Sequence, residues 1–160
     1  MPTPTPYRSL PPERRLALVT HAVKASREGR ELYVQRLAAR SGFRPVTLRT
    51  WAPDRLAKEI VRMKAENAND ELELLQLLYV DLEPEIQIAF LDAAGVKHEN
   101  GTIAEELERP YADADGVRRG ATAVREKHGD DGERYLRTIA KYSLDAWPGI
   151  DAIVAERADA

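Results

Sequence analysis

The side chains best placed to do chemistry lie in one stretch, VQRLAARSGFRPVTLRTW (34–51), where Arg36, Arg40, Arg44, Thr47, Arg49 and Thr50 are interleaved with apolar residues at helical spacing. Arginine presents a planar fork of donors that matches phosphate oxygens and guanine edges, and threonine adds a hydroxyl and a methyl group. Such a set recognises charged, hydrogen-bonding surfaces; it does not break bonds.

Other constellations are thinner. His21 sits in an apolar helix face, where a structural role is expected. His98 in KHEN and His128 in KHGDDGE stand beside carboxylates, the ingredients of a metal-dependent or hydrolytic site, yet no H-E-x-x-H or comparable ligand spacing is present. YADADG (111–116) resembles part of a calcium loop, but Tyr111 and Thr122 fall at its first and last ligand positions, so a turn is expected. In GDDGE (129–133), Asp130 and Glu133 have capping-box spacing. The chain contains no cysteine, no G-x-S-x-G elbow and no phosphate-cradling G-x-x-x-x-G-K. The expectation is a protein that is not an enzyme and uses neither metal nor cofactor.

The elements that must position the arginines follow from proline, glycine and apolar periodicity. Five prolines in residues 1–12 predict an extended arm. Helix 1 is expected from Pro11 and Pro12 to a stop at Gly29, and helix 2 from Glu31 to Arg40 with Leu32, Val34, Leu37 and Ala38 inward. Pro45 opens a short helix that Pro53 ends, and Asp54 is the expected N-cap of a fourth, whose buried stripe is Leu56, Ile60 and Met63. ENAND (66–70) reads as a polar break. Beyond it come ELELLQLLYVDL, EIQIAFLDAAGV, a loop-rich connection (97–116), and helices over Val117 to Lys127 and Glu133 to Asp145. Tyr135, Leu136, Ile139, Tyr142 and Leu144 form the last helix's packing set, and Tyr135, Tyr142 and Trp147 could line a ligand pocket or simply fill a core. Sustained strand alternation is absent.

Within the opening stretch the spacing suits two helices crossing at a tight turn. Ala38 supplies a small residue where they approach, and Gly42 a position for φ > 0. Leu37, Phe43, Leu48 and Trp51 form the expected inner seam, leaving Arg44, Val46, Thr47, Arg49 and Thr50 outward. LAARSGFRPVTLRTWAPDRLAKEIV resembles the DNA-binding segment of bacterial repressors of the tetracycline-repressor type, over residues 13–64. Ala38, Gly42, Leu48 and Trp51 match its structural pattern, and Arg44 and Thr47 its outward face. Arg49 stands where that family usually has tyrosine and Asp54 where it usually has lysine. The pattern also resembles the first helices of regulators of the mercury-resistance type. The first resemblance implies an all-helical fold, dimerisation through C-terminal helices and a ligand pocket that controls affinity for DNA.

Charge divides the chain. The net charge of -3 conceals 14 Lys and Arg against 6 Asp and Glu in residues 1–66, and 10 against 21 in the remainder. The hydrophobic fraction of 43% is enough to close a core. Apolar stretches such as LLQLLYV (74–80) fall far short of the roughly 20 residues that cross a bilayer, and MPTPTPY lacks signal-peptide regions. The expectation is therefore an all-α cytoplasmic protein of six to eight helices: an arm (1–12), a basic helix-turn-helix region (13–66), and an acidic helical region (70–160) for dimerisation or ligand binding. The expected partners are double-stranded DNA, a second copy of the chain and a possible small-molecule effector, with no membrane. The alternative is a helical interaction module whose basic half binds an acidic partner, or docks on the acidic half.

Overall fold

Prolines set helix starts throughout the chain. In the computed structural model, which describes residues 3–158, α1 (Pro12–Ala25), α3 (Pro45–Leu48), α4 (Pro53–Met63) and α6 (Pro84–Ala94) each begin on proline, whose missing N–H would have no helical partner there. With α2 (Arg27–Ser41), α5 (Ala68–Leu77), α7 (Ala114–Tyr142) and α8 (Ile150–Ala158) the described residues are all-α, apart from one hairpin of two-residue strands. The chain divides into two compact units between Leu77 and Leu78. No helix among the described residues is long and apolar enough to cross a membrane.

In the first unit, α1 packs on α2 and α4. Leu18, Val19 and Val23 meet Val34, Leu37, Leu56 and Ile60 in a buried core. Two boundaries differ from expectation. Helix α2 starts at Arg27 because the Ser26 side chain accepts the Gly29 N–H at 2.9 Å, placing Gly29 inside the helix and not at the end of α1. Ala52, not Asp54, is the N-cap of α4, since Pro53 already supplies the first helical position. Leu32, expected inward, is 40% exposed. It lies five residues, roughly 140°, from Leu37 around the helix, and Tyr33 takes the buried place. Met63 is half-buried at the end of its stripe, where Ala57 is buried.

The N-terminal segment is not an extended arm. Met1 and Pro2 lie outside the described residues; from Thr5 the chain turns, Ser9 N–H donating to the Thr5 carbonyl at 2.9 Å, and Tyr7 and Leu10 are buried. Glu66 and Glu71 hold it there. Tyr7 OH donates to Glu66 at 3.3 Å, the Arg8 guanidinium meets Glu66 at 2.9 Å, and Thr5 Oγ1 donates to Glu71 at 2.6 Å. Arg36 reaches from α2 to Asp70 at 3.0 Å. Asn67 and Asp70 exchange side-chain-to-backbone bonds at 2.9 and 3.0 Å, which cap α5. The expected break at 66–70 is thus a joint whose two carboxylates, Glu66 and Asp70, are buried while Asn67 and Asn69 face solvent, and the boundary falls after α5.

Burial, reinforced by neighbouring carboxylates, pushes the Tyr7 and Tyr33 phenols well above the ordinary tyrosine range, so Tyr7 stays a donor. Burial also outweighs Arg8 and raises the Glu66 carboxyl.

In the second unit α6 packs along α7, and Gly120 makes this possible: a Cβ there would stand 2.8 Å from the Phe90 ring. Tyr79, Tyr135, Phe90, Trp147 and Tyr111 form a chain of ring contacts with centroids 5.0–5.5 Å apart. The expected break near residue 129 exists as a kink within α7 at Gly129, φ 52° and ψ -123°. Glu133 is not in a capping box; its carboxylate takes the Arg125 fork at 2.6 and 3.1 Å, and Arg125 also donates to the Ile153 carbonyl at 2.8 Å, fastening α8. Leu144, expected in the packing set, is 46% exposed because α7 ends at Tyr142 and a 3₁₀ turn follows. The 97–116 connection contains β1 (His98–Glu99) paired antiparallel with β2 (Thr102–Ile103) through Asn100 and Gly101, both at positive φ. Asp113 caps α7 by accepting the Gly116 N–H at 2.7 Å.

The Arg36–Asp70 pair predicts a strong coupling. Asp70→Ala should destabilise the first unit by about 3 kcal/mol, because it strands a largely desolvated guanidinium. The same change in an Arg36→Met background should cost markedly less. Urea unfolding of the four-member cycle measures the difference, and additive costs would mean that the pair is not coupled.

Candidate nucleic-acid interface

Gly42 ends α2 in the left-handed conformation, φ 79°, and its N–H donates to the Ala38 carbonyl at 3.2 Å. Nothing lies within 4 Å of where its Cβ would stand, so the requirement for glycine is conformational and not steric. Three residues later Pro45 opens α3, a single turn that continues in tight bonds from Thr50 N–H to the Thr47 carbonyl and from Trp51 N–H to Leu48, both 3.1 Å.

Leu37, Leu48 and Trp51 are buried along the seam, as the spacing implies. Phe43 is not: it is 45% exposed and meets the Trp51 ring edge-on at 5.2 Å, because the extended backbone after Gly42 carries it past the core. The Arg55 guanidinium covers Trp51 at 3.9 Å from the ring centroid. Arg30 donates to the Trp51 and Arg49 carbonyls, pinning the end of α3 to the start of α2.

The six sequence-selected side chains divide by what holds them. Arg40, in the last turn of α2, and Arg44, just before α3, are exposed and have no acidic partner among the described residues. Thr47 is exposed beside them, and Val46 is 63% exposed. Thr50 is exposed, but its hydroxyl donates to the Thr47 carbonyl at 2.7 Å. Arg49 gives its fork to Glu31, with Nε 3.1 and 3.0 Å from the two carboxylate oxygens and Nη2 also bonded. Arg36 faces Asp70 and is not part of this surface. The outward set is therefore Arg40, Arg44 and Thr47, joined by an Arg49 already engaged within its own unit.

Glu31 and Gln35 are the members of the site that sequence reading missed. Gln35 Nε2 donates to Glu31 at 2.9 Å, and the bonds from Arg49 and then Gln35 hold the Glu31 carboxyl down at about 2. Their four-residue spacing on α2 was legible, but the partner 18 residues away was not.

The other candidate groups do not assemble. Among the described residues no three His, Asp or Glu side chains are placed to hold a metal ion. His98 is committed on both nitrogens: Nδ1 accepts the Gly101 N–H at 3.0 Å and Nε2 lies 2.6 Å from Asp92, which ties the hairpin to α6. His21 and His128 are half-buried in α1 and α7. Tyr135 and Trp147 are buried among other rings, while Tyr142 is half-buried with Lys141 5.5 Å from its ring centroid. An open depression of about 780 Å³ lies around the hairpin, bounded by Lys97, Glu99 and Glu106.

Gly42→Ala tests the turn. An L-residue held at this φ should cost about 1 kcal/mol, read as a lower melting temperature by circular dichroism, with any DNA affinity falling in parallel. An unchanged melting temperature would mean that the turn does not depend on the left-handed glycine. No known protein family, curated protein or solved structure matches this chain.

Proposed function

We propose that the first unit is the duplex-DNA-binding part of a cytoplasmic transcriptional regulator similar in plan to the tetracycline-repressor type. The observation that carries this reading is the pair of exposed, unpartnered arginines, Arg40 and Arg44, on either side of the left-handed Gly42, with Thr47 exposed at the start of α3. Arginine in such a position can bind phosphate oxygens or a guanine edge. Glu66 and Asp70 are paired inside the unit with Arg8 and Arg36, so these carboxylates do not compete for Arg40 and Arg44. A helix of one turn reaches few base pairs, so the protein acts as a homodimer on two half-sites. The second unit supplies dimerisation and any response to a small-molecule effector.

A specific observation also favours an acidic protein partner: Phe43 and Val46 are exposed beside Arg44, a mixed apolar and basic patch of the kind that interfaces bury.

Fluorescence anisotropy with a random-sequence duplex, across roughly 50–200 mM salt, separates the two. Arg40→Ala with Arg44→Ala should weaken binding and reduce the salt slope by about 1.8 in magnitude, the loss of two phosphate contacts. Absence of binding at the lowest salt would remove the DNA reading and leave the acidic protein partner.

A further inference from the structure

Arg49 is the one outward arginine on the α3 segment whose fork is already filled. Glu31 binds it through Nε and Nη2, the arrangement in which guanidinium binds a phosphodiester. Both partners are about half exposed, with side-chain accessibilities of 48% for Arg49 and 44% for Glu31, so the pair sits at the surface and not in the core. Gln35 holds the carboxylate from its other side at 2.9 Å. Arg49 is also anchored through its backbone, since its carbonyl accepts from Arg30 at 3.3 Å. Its guanidinium can change partner without moving α3.

We infer that Glu31 is a built-in competitor for the nucleic-acid phosphate: it occupies the Arg49 fork in the free protein and must be displaced before Arg49 can bind a phosphodiester. This rests on the DNA-binding reading and adds a rule for discrimination. An exposed ion pair is weak, so a phosphate held in place by Arg40 and Arg44 can displace the carboxylate, whereas a phosphate met at random gains little. Exchanging one anion for another also leaves the net charge neutralised at Arg49 unchanged, so the wild-type salt slope lacks that contact. The depressed Glu31 carboxyl, about 2, keeps the competitor charged across the neutral range.

The test uses the full chain with a random-sequence duplex and four proteins: wild type, Glu31→Gln, Arg49→Ala and the double variant. Glu31→Gln should bind roughly fivefold more tightly at low salt, the scale of an exposed ion pair, with a salt slope steeper by about 0.9. In the Arg49→Ala background the same change should leave the slope where it was. An unchanged slope in Glu31→Gln, or equal steepening in both backgrounds, would overturn the competitor role and reduce Glu31 to a diffuse negative charge. If neither wild type nor Glu31→Gln binds DNA at low salt, the DNA reading falls and the inference with it. If wild type binds through Arg40 and Arg44 while Glu31→Gln matches it in affinity and slope, only the inference falls. Circular dichroism melting of each variant checks that the surface substitutions leave the fold intact.

Discussion

Three carboxylates inside a small helical unit are the constraint on which the rest of the first unit depends. Glu66, Asp70 and Glu71 are nearly inaccessible, and a buried carboxylate is costly unless cations and donors surround it. Those partners come from three places: Arg8, Tyr7 and Thr5 in the N-terminal segment, Arg36 in α2, and the Asn67 backbone at the start of α5. Meeting the carboxylates' needs therefore fixes where the segment lies and how α5 joins α2. Apolar contact alone would hold these pieces near one another without specifying register. The same network withdraws Arg36 from solvent.

The helix-turn-helix seam works on a different scale and is fixed mainly by shape. Leu37 and Leu48 interlock beneath it, and Trp51 closes the far end between the Phe43 edge and the Arg55 face. Because α3 is one turn long, its own hydrogen bonds cannot orient it. Orientation comes from outside: Pro45 sets its start, Gly42 its approach, and Arg30 holds the Arg49 and Trp51 carbonyls just beyond its end. Arg44 and Thr47 thus project from a segment anchored at both ends.

Legibility in the sequence followed the range of the interaction. Features set within four or five residues are readable: the proline starts of α1 and α3, the turn at Gly42, the inward Leu48 and Trp51, and the break near Gly129. Features set by partners far along the chain are not. Arg36 was assigned to phosphate because nothing near it in sequence reveals Asp70, 34 residues later. ENAND reads as a linker because polarity normally signals exposure, and its Asn67 and Asn69 are indeed exposed, but Glu66 and Asp70 are buried against partners far along the chain. The extended arm failed for the same reason: its prolines prevent a helix but do not prevent a turn that buries Tyr7 and Leu10. The hairpin was a different omission, since the Asn100-Gly101 pair is a local signal for a two-residue β-turn, overlooked among residues that otherwise read as loop.

Counting arginines is a poor measure of a binding surface, because charge acts only where the guanidinium is available. Of the four arginines in the candidate set, Arg36 serves the core, Arg49 is engaged at the surface, and Arg40 and Arg44 remain outward. Those two lie four residues apart in sequence, but on opposite sides of the left-handed glycine. One rides on the end of α2 and the other on the extended entry to α3, so the turn geometry, and not helical spacing, sets the distance between the two guanidinium groups. The spacing of these two charges is therefore a property of the backbone: moving Gly42 out of the left-handed region would change it while leaving the net charge unaltered.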